Sequence, residues 1–442
     1  QQVVGEAGWH TIGSPFTNTT LADVQFDNGA FLQLGAPNQC NIYYYDPLAY
    51  QATPPITWIN AWGNWVCPNS LAETFDGSRS YNLFLDNNFA SAFPVTMSLT
   101  GTTREATLTQ VLNQANGGWN LFSNPFTRVM NWESMFDNSS LLNTYYVWDA
   151  VNMNYATYQV GGASTFGATQ YIAPMQSVFV RTSTYGDGSS GPTVSVPQNH
   201  DVTPADSPLE CVAAINQFYK TGDLILKLES SINGGFNDEL ILFFNADYTE
   251  DYKLQEDAVK FFSPEESVPS LFSIIEKENC VFGAYPIPNG AIQTIPLGIK
   301  TKANARVQIN AVEKSTDLEA ILEDKQLGIF HNLNAPYTFT QNTTYNTERF
   351  VLHIGDNKMK PWDVELLDGF FAYVSYQDIV FTQNEKLLNR EAQIFNLTGQ
   401  RISSFRIDES YTQPVPDVAA GVYILVIQTQ DKVYTQKIVL GK

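Results

Sequence analysis

Two stretches far apart in the chain follow one template. Gly8 to Thr17 reads GWHTIGSPFT and Gly118 to Thr127 reads GWNLFSNPFT, with Gly, Trp, Pro, Phe and Thr at the same spacing. Such a repeat constrains the fold strongly, because both copies must build the same supersecondary unit. Behind each copy comes a tyrosine-rich run, Asn41 to Asp46 and Asn143 to Asp149. Tyr81 to Leu85 and Gln176 to Val180 are candidates for a further matched pair of strands. Two copies are too few for a solenoid, so the expectation is a duplicated β-sandwich unit or two halves of one sandwich.

Strand patterns continue beyond the repeat. Leu224 to Leu228, Leu240 to Phe244, Ala305 to Ile309 and Arg349 to His353 are β-branched, aromatic or alternating runs that suit a half-buried sheet. One helical turn is expected around Leu318 to Leu322, and nothing alternates as a βαβ fold does. Composition changes near residue 200: the first lysine is Lys220, and before it the basic residues are Arg79, Arg104, Arg128 and Arg181. Seven of the eight tryptophans lie on that side, and the shift coincides with the Gly/Ser/Pro-rich run Gly186 to Pro192 and with Pro197 and Pro204. Gly355 to Pro361 reads as a second linker.

The predicted domains are therefore a duplicated Trp/Tyr-rich region over 1–200, a second β-sandwich over 205–355 and a small C-terminal domain over 360–442. The predicted fold class is all-β: tandem, jelly-roll-like β-sandwich domains followed by a small immunoglobulin-like sandwich. A formal charge of −21 repels polyanions and argues against nucleic acid as a partner. No run approaches the roughly eighteen apolar residues of a membrane helix. Gln1-Gln2-Val3-Val4 has neither a charged n-region nor an apolar h-region, so either a signal peptide has been removed or the chain is the C-terminal part of a longer one.

The last stretch is the most specific. Ala392 to Leu397 is strand-rich, Thr398-Gly399 supplies a turn, and Gln400-Arg401-Ile402 resumes the strand. Gly421 to Ile427, the polar turn at Gln430-Asp431-Lys432, and Val433 to Leu440 form a second hairpin. Asn396-Leu397-Thr398-Gly399-Gln400, Gly421-Val422-Tyr423 and Lys437-Ile438-Val439 together resemble the C-terminal sorting domain of proteins exported by the type IX secretion system of Bacteroidetes. The Pro-Asn-Pro opening of many such domains is absent, and Ala372 to Tyr376 with Ile379 to Phe381 stands in its place. The resemblance implies export to the cell surface. It also implies recognition by the type IX translocon and its outer-membrane barrel proteins, and removal of the domain by a cut near the Gly355–Pro361 linker.

The second repeat copy resembles a passenger module of large exported surface proteins. The residues that carry this are Gly118-Trp119-Asn120-Leu121, Asn124-Pro125, Tyr146-Val147-Trp148-Asp149 and Tyr171 to Gln176 with Phe179-Val180. Similar modules carry elements found here as Asp257-Ala258-Val259-Lys260, Leu322-Glu323-Asp324-Lys325 and Arg349-Phe350. In an exported protein the four cysteines would form two disulfides, Cys40 with Cys67 and Cys211 with Cys280, each worth about 3–4 kcal/mol by the loop-entropy model. The alternative is four cysteines buried as small hydrophobes.

No catalytic motif accompanies His10, His200, His331 or His353, so no catalytic residue and no enzymatic activity is expected. A carboxylate pair of the glycosidase kind leaves no sequence signature. The acidic stretch from Asp247 through Asp251 to Asp257 is a candidate calcium site, against the reading of a solvated acidic loop, since EF-hand spacing is missing. Trp58, Trp62 and Trp65 are candidate glycan contacts, although strand parity puts Trp65 on the opposite face from the other two, which favours core packing or a bent loop. The expectation is a non-enzymatic, structural or adhesive surface passenger that needs no cofactor, with surface glycans or other surface proteins as its partners. A carbohydrate-binding module is the alternative, and a polysaccharide-degrading enzyme stands behind it.

Overall fold

A computed structural model describes residues 2–4, 7–35, 40–48, 64–104, 106–135, 140–184, 190–196, 223–232, 235–288, 292–356, 372–375, 377–381, 387–429 and 433–440. The regular structure of the described chain is nearly all strand, with a one-turn helix at Trp132–Met135 and short 3-10 turns such as Leu21–Asp23. It forms two compact units, one of Gln1–Thr221 with Lys253–Glu266 and one of Gly222–Tyr252 with Ser267–Lys442.

The first unit contains the repeat as two sheets of matching order. In one the strands run Gly8–Ile12, Tyr81–Leu85, Ile42–Tyr45, Trp65–Val66. In the other they run Trp119–Ser123, Ser177–Thr182, Leu141–Asp149, Asn154–Gln159, with Ala163–Ser164 added at the edge. Register agrees as well. Trp9 faces Phe84 as Trp119 faces Arg181, Ile42 faces Leu83 as Tyr145 faces Val180, and Tyr45 faces Trp65 as Trp148 faces Tyr155. Tyr43 and Tyr146 are therefore equivalent positions, and the matched strand pair expected from sequence is present. Each sheet has its own apolar core: Ile12, Ile42, Tyr81, Leu83 and Leu85 in the first copy, and Phe122, Trp132, Tyr145, Val178 and Val180 in the second.

The second unit holds one long, mostly antiparallel sheet. Its strands run in the order Ile329–Asn332, Leu318–Asp324, Tyr345–Asp356, Gln293–Lys300, Ser270–Ile275, Glu278–Pro286, Asn237–Asn245, Leu224–Ile232, Ala305–Lys314, Tyr337–Gln341. Residues from both ends of that order, Ile329 and Tyr337 among them, share a single core with Leu226, Leu242, Leu297 and Leu352. The sheet therefore curls until its ends meet. The helical turn expected at Leu318 to Leu322 is instead part of a strand paired on both sides. Leu, Glu and Ala favour helix locally, but burial between two partner strands overrides that preference.

Asp324 and Arg349, on neighbouring strands, form a buried cluster that bonds to the strand at the other end of the order. Arg349 Nη2 lies 2.6 Å from Asp324 Oδ2, with the two side chains 2% and 1% exposed. Tyr337 Oη donates to the same carboxylate at 2.8 Å, and Arg349 Nη1 donates to Thr340 O at 2.7 Å. The Leu322-Glu323-Asp324-Lys325 and Arg349-Phe350 elements thus meet in one buried, hydrogen-bonded ion pair.

The C-terminal part of this unit is a small two-sheet sandwich. Arg401–Arg406, Glu391–Phe395, Gly421–Gln428 and Val433–Leu440 make one sheet. Ala372–Ser375, Asp378–Phe381 and Thr412–Pro414 make the other. Ala372, Ile379, Phe381, Ile394, Leu425 and Ile438 form the core between them.

Candidate functional site

The C-terminal turn is built around one side chain. The Asn396 carboxamide oxygen accepts from Thr398 N–H at 3.1 Å, Thr398 Oγ1 at 2.7 Å and Gln400 N–H at 2.9 Å, while Asn396 Nδ2 donates to Gln400 Oε1 at 3.1 Å. Gly399 sits at φ +84°, where a glycine is preferred, and its N–H donates to Asn396 O at 3.0 Å. With the turn fixed from inside, Leu397 stands 67% exposed at its tip. Leu397 therefore takes no part in the small core.

The other sequence-predicted signal residues lie on the second hairpin. Tyr423 and Ile438 point into the small core, and Tyr423 Oη donates to Ala419 O at 2.9 Å. Val422 and Val439 face each other across the strands and pack against the core of the long sheet. Gly421 pairs with Leu440, and Lys437 with Ile424. The residues expected to form the signal thus fall into core positions and an exposed turn.

A second arrangement lies in the first unit, on the face of the repeat's second sheet. Phe261 is buried among four rings, with centroid distances of 4.4 Å to Tyr155, 4.6 Å to Trp119, 4.8 Å to Phe179 and 5.4 Å to Tyr146. Around it, side chains of the sheet bind the main chain of the same segment. Asn143 Nδ2 donates to Gln255 O at 2.8 Å, Gln159 Nε2 to Glu256 O at 3.2 Å, and Tyr146 Oη to Val259 O at 2.8 Å. In return Ser263 Oγ donates to Met153 O at 2.6 Å. Burial pushes the Tyr155 phenol well above its usual pKa, as expected of a ring enclosed by aromatic neighbours. Sequence reasoning missed Phe261. The available signal was the Phe261-Phe262 pair following a charged stretch.

Among the other expected residues, Trp58 and Trp62 lie outside the described residues. Trp65 is half-buried and packs edge-on against Tyr45 at 5.5 Å and Phe179 at 5.9 Å, so it is part of an aromatic interior and not a flat exposed platform. Cys40 and Cys67 are disulfide-bonded, with Cα atoms 6.2 Å apart. Cys280 is fully buried in the core of the long sheet, and Cys211 lies outside the described residues.

Of the acidic residues, Asp247 and Asp251 are exposed. Asp257 is buried, and its Oδ2 accepts from Lys253 N–H at 2.7 Å. Among the described residues, no group of three or more His, Cys, Asp and Glu is placed to hold a metal ion. The histidines are dispersed: His331 bonds Ala335 O at 2.8 Å, His353 bonds Glu323 at 2.9 Å, His10 lies in the first strand of the repeat, and His200 is outside the described residues.

Residues 8–354 match a family described as Domain of unknown function (DUF8693), and residues 375–441 match the secretion system C-terminal sorting domain. No curated protein matches the chain.

Proposed function

We propose, from the premise that this chain belongs to the family described as Domain of unknown function (DUF8693) and carries a C-terminal sorting domain, that its body is a non-enzymatic, structural or adhesive passenger. The sorting domain makes the chain a substrate of the type IX secretion machinery, exported out of the cell. The finer reading is display at the cell surface, with the Asn396–Gln400 turn and its exposed Leu397 as the part met by the translocon and its outer-membrane barrel proteins.

One observation carries the passenger reading. The aromatic rings and amide side chains on the face of the repeat's second sheet are occupied by the chain's own 255–263 segment. Aromatic surface used internally in this way makes a rigid body, which suits a load-bearing or adhesive element. The Cys40–Cys67 disulfide suits the oxidising exterior in the same sense.

The test is binding of the full chain to a panel of bacterial and plant polysaccharides, alongside Trp58→Ala, Trp62→Ala and Trp65→Ala. The structural reading expects no saturable binding. Saturable binding that is lost in a still-folded tryptophan variant overturns it in favour of a carbohydrate-binding module.

A further inference from the structure

The segment that fills the aromatic cage is foreign, in sequence, to the unit it completes. Lys253–Glu266 belongs to the first compact unit, yet it is flanked on both sides by residues of the second. It leaves after the Asn237–Asn245 strand and returns before the Ser270–Ile275 strand, and both of those strands belong to the long sheet. Its start is shaped by its own contacts. Asp257 accepts from Lys253 N–H, and Asp257 N–H donates to Lys253 O at 2.9 Å, which closes a turn. That turn presents the carbonyls of Gln255 and Glu256 to Asn143 and Gln159.

The contacts have the character of ligand recognition. Three side-chain donors of the sheet, on Asn143, Gln159 and Tyr146, bind backbone carbonyls, which any residue supplies, while one side chain, Phe261, enters an aromatic cage. Main-chain bonds with a single buried aromatic anchor are how a surface holds an extended peptide. Without the segment, Asn143 and Gln159 would lose their carbonyl partners in a buried setting, and four aromatic rings would face a cavity.

We infer that the face formed by Trp119, Asn143, Tyr146, Tyr155, Gln159 and Phe179 is a peptide-binding surface whose ligand is residues 253–266 of this chain. The first unit is completed only when that segment is seated. The Asp257-Ala258-Val259-Lys260 element and the Trp119 and Tyr146 motifs, separate in sequence, are therefore the two sides of one joint. The joint lies within the first unit and ties its stability to residues far along the chain.

Hydrogen exchange on the full chain tests this. Phe261→Ala should speed exchange at the amides of Leu141–Asp149 and Asn154–Gln159 by about a hundredfold or more, as expected for emptying an aromatic core position. Amides of Leu318–Asp324 and Tyr345–Asp356 should exchange as before, and Phe261→Leu should show an intermediate effect. A synthetic peptide of residues 253–266, added to the Phe261→Ala chain, should slow exchange in the first unit again, whereas the same peptide carrying Phe261→Ala should not. Exchange that rises equally in both units, or a wild-type peptide that restores nothing at saturation, overturns the inference. Asn143→Ala with Gln159→Ala gives a second route that leaves the cage intact. It should loosen the same two strands to a smaller extent, and no change there also counts against the joint.

Discussion

Gly13 and Ser123 hold the same position in the two copies of the repeat, and in the folded unit they face each other: a Cβ added to Gly13 would lie 2.2 Å from Ser123 Cβ. Cross-copy bonds surround the point. Gly13 N–H donates to Met175 O at 2.9 Å, Thr11 Oγ1 to Ser177 O at 2.7 Å, and Ser123 Oγ to Gly77 O at 3.3 Å. The two copies thus pack directly at equivalent positions, and the contact requires a residue without a side chain on one side.

Gly13→Ala should overpack that contact and destabilise the first unit by about 1–3 kcal/mol. Ser123→Gly in the same chain should recover part of the loss by vacating the opposing position. Urea midpoints of the wild type, the two single variants and the double variant check both the cost and the coupling.

Arg349→Met should cost about 3–5 kcal/mol, because it leaves the Asp324 carboxylate buried beside Tyr337 without its cation. Asp324→Leu together with Arg349→Met should cost less than the two single changes combined. Thermal or urea unfolding of the three variants measures the difference.

His331 gives the long sheet a pH response. Burial holds its imidazole below the ordinary value of 6.5, so between the folded and unfolded values the unfolded state carries the extra proton. The contribution is present above about 6.5 and is lost as pH falls through the depressed folded value. His331→Asn should flatten the decline in urea midpoint just below that pH, which a titration of unfolding midpoints against pH reads directly.

Asn396→Ala removes the acceptor that organises the sorting turn and should cost about 1 kcal/mol locally. Leu397→Ser should leave the melting temperature unchanged, since the side chain is exposed, while lowering the fraction of the chain found outside the cell. Fractionation of expressing cells alongside a melt separates these effects.

Much of this was legible in the sequence. The GWHTIGSPFT and GWNLFSNPFT pair marked the duplication, because a strand-turn template with fixed Trp and Pro positions leaves little room for another geometry. The Asn396–Gln400 turn was equally plain, because Asn and Gly there serve local hydrogen bonding and φ. Contacts without local chemistry were not legible. Phe261 meets its cage across a long sequence separation, and nothing around it signals which sheet it will enter. Asp324 and Arg349 meet because their strands pair directly, and the bonds to Tyr337 and Thr340, from the other end of the strand order, have no local signature. Leu318 to Leu322 read as helical because local preference is visible in a sequence and burial between two strands is not.

The most direct test of the account is the location of the protein in cells with a working type IX system, comparing the full chain with one ending at residue 374, just before the sorting domain that spans 375–441. The account predicts that the full chain is recovered outside the cell and that the shortened chain is retained within. A shortened chain that reaches the exterior as efficiently as the full one would contradict it.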